Sequence, residues 1–257
     1  MAKALIGAQM FTLRDHCATP ADIAQSCAKV KAMGYDGIQA SAAGFNEIDA
    51  NELKKILDGE GLACAATHKG LDALRDQTEQ MIEYHQVLDC KYTAIGGIFP
   101  RENWTRAMWE QFIKDFNETA RKFKDADLSV GYHNHSHEFA PVEDGAIPYA
   151  MLVENLNKHC WFEVDTYWVA HGGGDPASWI EAVEDRIPCV HYKDMTITPQ
   201  REQKMCEVGD GNLNWPRINK RCKKAGVEWY LVERDSGDMD PFDSLKRSIE
   251  NMREMGL

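Results

Sequence analysis

The chain has 257 residues, 44% of them hydrophobic and 27% charged, with a net charge of −12. That is enough apolar material for one large α/β domain, and an acidic surface repels phosphodiester backbones, which argues against a nucleic-acid partner. No apolar run reaches the roughly 18 residues of a membrane span, and eight cysteines scattered without a CxxC pair read as small buried hydrophobes in a reducing, cytoplasmic compartment.

Short apolar runs alternate with longer amphipathic segments along the chain. Residues 4–10 (ALIGAQM) read as a first strand and not as a signal peptide, because no sustained apolar core or cleavage site accompanies them. Thr19-Pro20 then opens a helix that Gly34 closes. Further strands are expected at 37–42 (GIQASA), 62–68 (LACAATH), 92–97 (YTAIGG) and 128–135 (LSVGYHNH), and again at 161–166 (WFEVDT), 187–193 (IPCVHYK) and 228–234 (EWYLVER). Helical patterns separate them. The longest, WTRAMWEQFIKDFNETARKFKDA, repeats apolar residues at three-to-four spacing. Asp175-Pro176 and Asp240-Pro241 are two more cap-plus-proline helix starts. The basic cluster at 220–224 (KRCKK) reads as a solvated helix face. The longest irregular stretch, 194–214, reads as a lid or active-site loop. Eight strand–helix units predict an α/β fold, a single (β/α)8 TIM barrel spanning residues 1–257. A doubly wound sheet would carry a glycine-rich turn after its first strand, and FTLRDHC has none.

In such a barrel the site forms at the C-terminal ends of the strands. Polar residues recur there: Gln9, His68, Asp165, His191, Lys193, Glu233 and Asp235. The fifth strand runs into SVGYHNHSHEF, where His133, His135 and His137 stand at every second position. On a strand all three would face one way. Each residue has a plainer reading on its own. A histidine at a strand end can be a hydrogen-bonded structural residue, and Asp165 can cap the following helix. Glu233, after the apolar run YLV, is costly to bury without a partner. Taken together, imidazoles and carboxylates on successive strand ends point to a divalent-metal site, with a donor mix that suits Mn, Co, Fe, Zn or Mg.

The segments GAQMFTLRD, GYHNHSHEF, EVDTYWVAHGGGDP, IPCVHYKD, EVGDGNLNW and YLVERD spread over nearly the whole chain. In this order the chain resembles the sugar phosphate isomerase/epimerase family, the xylose isomerase-like TIM barrels. The resemblance implies one divalent metal held from the fifth to the eighth strands, with Asp165, His191 and Glu233 in the second, third and fourth places. In the first place this sequence has His133 where epimerases usually carry a glutamate. Related dehydratase-type members imply that His135, two residues on, works on substrate. A one-residue bulge would exchange the two histidines. His137 and Glu138 fall to the following loop. Trp168 stands where some epimerases carry a substrate-binding histidine; it either stacks on a sugar or closes the barrel mouth. The resemblance further implies a small-molecule sugar or keto-sugar substrate, with Gln9, His68 and Trp168 as its contacts. No nucleic-acid or membrane partner is expected, and a homo-oligomer is left open.

The chemistry so implied is proton abstraction next to a carbonyl. The metal acts as a Lewis acid on the carbonyl and the enediolate, and Glu233, His135 or Lys193 takes or returns the proton. Epimerases of this family use two carboxylates on opposite faces of the reacting carbon, and His133 removes one of that pair. Isomerase or epimerase is the leading expectation. A leaving group β to the carbonyl would make the enzyme a lyase or dehydratase of a keto-sugar, 3-keto-glycoside or inosose. The nuclease branch of the fold needs more metal-binding histidines, and the fourth strand end, AIGGIF, has none. A non-catalytic sugar-binding barrel is the remaining reading, and the retained Asp165, His191 and Glu233 argue against it.

Overall fold

The computed structural model describes residues 4–98 and 104–257. Among these residues ten strands form: β1 (Leu5–Gln9), β2 (Gly37–Ala40), β3 (Ala63–His68), β4 (Tyr92–Ile95), β5 (Ser129–His133), β6 (Trp161–Asp165), β7 (Cys189–Tyr192), β8 (Asp194–Ile197), β9 (Gln203–Cys206) and β10 (Trp229–Val232). All but β8 and β9 pair in parallel and close into an eight-stranded barrel in the order β1-β10-β7-β6-β5-β4-β3-β2. Helices run between the strands, as the alternation predicts. Thr19 caps helix Pro20–Met33 through a capping box with Asp22, and Gly34 ends it in the left-handed region at φ 93°. Asp175 and Asp240 cap helices Pro176–Ala182 and Pro241–Glu254 by accepting backbone N–H groups of their first turns. Among the described residues no helix is long and apolar enough to cross a membrane.

Side chains two apart on a strand share a face, so inward positions stack in levels along the barrel axis. On β6 the levels are Trp161, Glu163 and Asp165. The lower level is apolar: Trp161 and Trp229 pack with Ala65, Ala66, Ala94, Cys189 and Leu231. These indoles need glycine opposite them. A Cβ on Gly131 would lie 2.3 Å from the Trp161 ring, and one on Gly37 would lie 2.9 Å from Trp229. With the lower barrel filled, polar side chains are confined to the upper half. The larger core lies between barrel and helices, where Phe112, Phe116, Tyr132 and Phe162 are buried.

One irregularity decides where His68 points. The β2–β3 register pairs Ile38 with Cys64 but Gln39 with Ala66, so Ala65 is an extra residue. Cys64 packs in the outer core. Strict alternation from Cys64 would turn His68 outward as well. The bulge reverses the phase: Thr67 faces the helices, bonded to His85 at 2.7 Å, and His68 lines the barrel mouth.

Two sequence expectations need correction. The histidines of SVGYHNHSHEF do not share a strand face, because β5 stops at His133. Asn134 Oδ1 accepts the Asp165 N–H at 3.0 Å and Glu138 accepts the His135 N–H at 2.9 Å, which turns the chain away from the barrel. His137 then falls in a 3-10 turn, His137–Phe139. The segment 194–214 is not irregular throughout, since β8 and β9 form an antiparallel hairpin. The rest of the segment is tied to the buried Asp194 carboxylate. Gly209, Gly211 and Leu213 donate backbone N–H groups to it, and Trp215 donates its indole N–H at 2.6 Å.

An amide cannot accept at both ends, so Asp194→Asn leaves buried donors unmatched. It is expected to cost about 2 kcal/mol or more and to lower Tm by roughly 4–8 °C in a thermal melt. An unchanged Tm would show that Asp194 does not hold this segment.

Candidate active site at the barrel mouth

β5, β6, β7 and β10 bring four side chains to one point. His133, Asp165, His191 and Glu233 are all buried and offer ligand atoms within 4.8 Å of one another. Asp165 Oδ2 lies 3.2 Å from His133 Nε2 and 3.6 Å from His191 Nδ1. Glu233 Oε2 lies 3.0 Å from His191 Nδ1, and Gln9 Nε2 donates to Glu233 Oε1 at 2.8 Å. Asp165 does both jobs the sequence allows it. Its Oδ1 accepts the Trp168 N–H at the start of helix Thr166–His171, while Oδ2 faces the imidazoles.

Lys193 is 1% exposed and sits beside this group. Its ammonium lies 3.0 Å from Glu233, 2.7 Å from Asp235 and 3.7 Å from Asp165. One level deeper, Glu163 was not foreseen from the sequence. Its Oε2 meets His68 Nε2 at 2.6 Å and His191 Nε2 at 3.1 Å. Its Oε1 accepts from Gln39 Nε2 at 2.8 Å, and Gln39 Oε1 accepts from His191 Nε2 at 2.6 Å. The signal was present in EVD: Glu163 is two residues before Asp165 and so shares its inward face. Gln39 likewise interrupts the apolar run of β2, and a fully buried amide must find partners.

The charges follow from this packing. Burial penalises each ionised group, yet the partners prevail. Lys193 and His133 hold Asp165 below the ordinary carboxylate range, and His191 and His68 do the same for Glu163. Lys193 and His191 hold Glu233 down. Burial and then Glu233 push Asp235 up to about 6. Against burial, Glu163 and Glu233 raise His191, and Glu233 and Asp165 raise Lys193. Four carboxyl groups thus stand against two cations. A divalent ion would displace the His191 proton and balance the surplus negative charge, with two imidazole nitrogens and two carboxylate oxygens converging on it. His133 Nδ1 is buried without a hydrogen-bond partner among the described residues. These residues fit a metal ion. A smaller group, His68, His133 and Glu163, also brings ligand atoms within 4.8 Å.

Above the donors opens a cavity of about 740 Å³. Every residue expected at substrate lines it: Gln9, His68, His135, Trp168, Lys193 and Glu233. The His135 and Trp168 rings are 5.2 Å apart, and the Lys193 ammonium lies 5.2 Å from the Trp168 ring. Burial and then His133 lower the His135 imidazole to about 2, so it stays neutral. Glu138, which the sequence leaves to a loop, is fully buried beneath it. It accepts the Tyr132 hydroxyl at 2.7 Å as well as the His135 N–H. Burial nevertheless pushes its carboxyl from 4.5 up to about 7, against these two bonds.

The Glu138 shift has a definite sign. A carboxyl raised on folding contributes stability below its unfolded pKa and loses it as pH rises through the folded one. Wild type should therefore lose about 3 kcal/mol relative to Glu138→Gln between pH 4.5 and 7. Urea melts of both proteins across that range measure it; a difference that is flat or grows with pH would contradict this.

Known proteins share this arrangement of strands. No curated protein matches at the sequence level. A sugar phosphate isomerase/epimerase from Parabacteroides distasonis superposes with a TM-score of 0.83 at 22% identity, covering 100% of this chain and 96% of that one. The probable 3-DHS dehydratase of petrobactin synthesis from Bacillus anthracis gives 0.75 at 12% identity, over 97% and 98% of the two chains. D-allulose 3-epimerase from Methylomonas sp., in complex with D-allulose, gives 0.76 at 14% identity, over 99% and 98%. At such identities the likeness concerns the fold. Residues 27–255 match the family described as xylose isomerase-like TIM barrel, and the chain belongs to that family.

Proposed function

We propose that the protein is a divalent-metal-dependent sugar isomerase or epimerase that removes a proton next to a carbonyl. The observation that carries this reading is the convergence of His133, Asp165, His191 and Glu233 at the floor of an open cavity, with negative charge in surplus. These four residues would hold the ion, which would act as a Lewis acid toward the substrate carbonyl. The chain's own groups do the rest. Lys193 is fixed between Glu233 and Asp235 with its ammonium at the cavity wall, placed to donate to oxygen where charge develops and to return a proton. Neutral His135 accepts or donates a hydrogen bond to a sugar hydroxyl, and the face of Trp168 stacks on the ring. Gln9 keeps Glu233 in place, and Glu233 is a further candidate for the proton. The relatives named isomerase or epimerase support this class.

A second outcome has its own support. The cavity extends past the donors to Ser41, Asn46 and Lys69, which leaves room for a substituent on the sugar. If that substituent is a leaving group β to the carbonyl, the same deprotonation ends in elimination, and the relative named as a dehydratase belongs to that class.

The test is a set of keto-sugars incubated with metal-loaded protein in D₂O and followed by NMR. Wild type is expected to place deuterium on the carbon beside the carbonyl, and Asp165→Ala to do so at least about 100-fold more slowly. The product spectrum separates inversion from elimination. A metal-loaded wild type that binds keto-sugars without exchange would support a sugar-binding barrel instead.

A further inference from the structure

We propose that His68, oriented by Glu163, is a catalytic acid–base residue working on the substrate face opposite Lys193. The inference rests on the proton-abstraction reading above and assigns the second of the two faces that an epimerase must serve.

Three independent features of the fold aim, hold and oppose this imidazole. The extra residue Ala65 in β3 turns His68 into the barrel when strict alternation would bury it under the helices. Glu163 Oε2 takes Nε2–H of the imidazole at 2.6 Å, and Glu163 is itself held by Gln39. The ring stacks at 5.2 Å on His133 and at 5.5 Å on His191. Nδ1 is left on the side of Ser41, whose Oγ is 3.5 Å away, and of Gly96, both of which line the cavity. A Cβ at Gly96 would lie 2.8 Å from Nδ1, so the glycine keeps that nitrogen approachable. Finally, β3 and β7 stand four places apart in a closed ring of eight strands. His68 and Lys193 therefore enter one cavity from opposite walls.

The step balances without an outside oxidant. Nδ1 takes the proton from the carbon beside the carbonyl. The C–H electron pair forms the carbon–carbon double bond, and the carbonyl π pair moves to oxygen. His68 becomes an imidazolium whose Nε2–H stays on the Glu163 carboxylate, which offsets its charge. A proton delivered to the same carbon from the Lys193 side inverts it, and the proton on His68 passes to solvent. Lys193 regains its proton from solvent. From the other epimer the Glu233 carboxylate, 3.0 Å from the Lys193 ammonium, takes the proton on that side and the His68 imidazolium delivers one on the other.

The experiment compares wild type, His68→Gln, Glu163→Gln and Gly96→Ala on both epimers of a keto-sugar pair that wild type interconverts, in D₂O, with metal content measured on each protein. For His68→Gln, inversion should fall about 100-fold or more, while exchange into unreacted substrate survives from one epimer alone. Gly96→Ala crowds Nδ1 without altering charge and should show the same asymmetry more weakly. Glu163→Gln should lower kcat with KM near wild type, as expected of a positioning residue. Metal content should match wild type in all three. Equal loss of exchange from both epimers in folded His68→Gln and Gly96→Ala would overturn the proposal. So would loss of one metal ion per chain in His68→Gln, which would make His68, His133 and Glu163 a second cation site. A wild type that eliminates without inverting removes the two-face role only, whereas a wild type without any exchange removes the underlying reading and this inference with it.

Discussion

A buried carboxylate costs several kcal/mol unless cations or donors surround it, and this barrel buries Glu163 and Asp165 completely, with Glu233 4% exposed beside them. That constraint accounts for much of the upper barrel. Lys193 and His191 are drawn in as cations, Gln9 and Gln39 as amide donors, and His68 and His133 as imidazoles. The lower barrel leaves space for this only above it: Trp161 and Trp229 fill it, so the polar level has an apolar floor. Two cations do not neutralise four carboxyl groups, and the remainder is the electrostatic reason to expect a divalent ion.

The segments around the mouth are organised by single buried polar groups. Asn134 joins the end of β5 to the end of β6 through the Asp165 N–H. Glu138 holds the His135 backbone from below, and Asp194 gathers the loop that follows β9. Each anchor fixes a loop that carries or flanks a cavity residue. Residues on rigidly tied loops lose little freedom when substrate binds, which is the geometric condition for efficient proton transfer.

Much of this architecture was legible in the sequence, for local reasons. Apolar runs bounded by turns marked the eight barrel strands, and Thr19-Pro20, Asp175-Pro176 and Asp240-Pro241 marked helix starts by cap chemistry that needs only a few neighbouring residues. Asp165, His191 and Glu233 stood out because a charged residue closing an apolar strand demands an explanation. What escaped depends on contacts between distant strands. Glu163 and Gln39 are 124 residues apart in sequence and meet only when the barrel closes. The bulge at Ala65 leaves no mark in a run of small apolar residues, yet it decides the direction of His68. The alternation of His133, His135 and His137 suggested a continued strand, but side-chain bonds from Asn134 and Glu138 end it. The hairpin of β8 and β9 was hidden because its strands are short and mostly only part-buried, with little apolar alternation.

The reading above stands or falls on whether the buried donors at the barrel mouth bind one divalent ion. The most direct measurement is elemental analysis of the protein after equilibration with Mn²⁺, Co²⁺, Fe²⁺ and Zn²⁺ in turn, with Asp165→Ala in parallel. Close to one ion per chain is expected in wild type and none in the variant. No bound ion under any of these conditions, or an ion that Asp165→Ala retains, would contradict it.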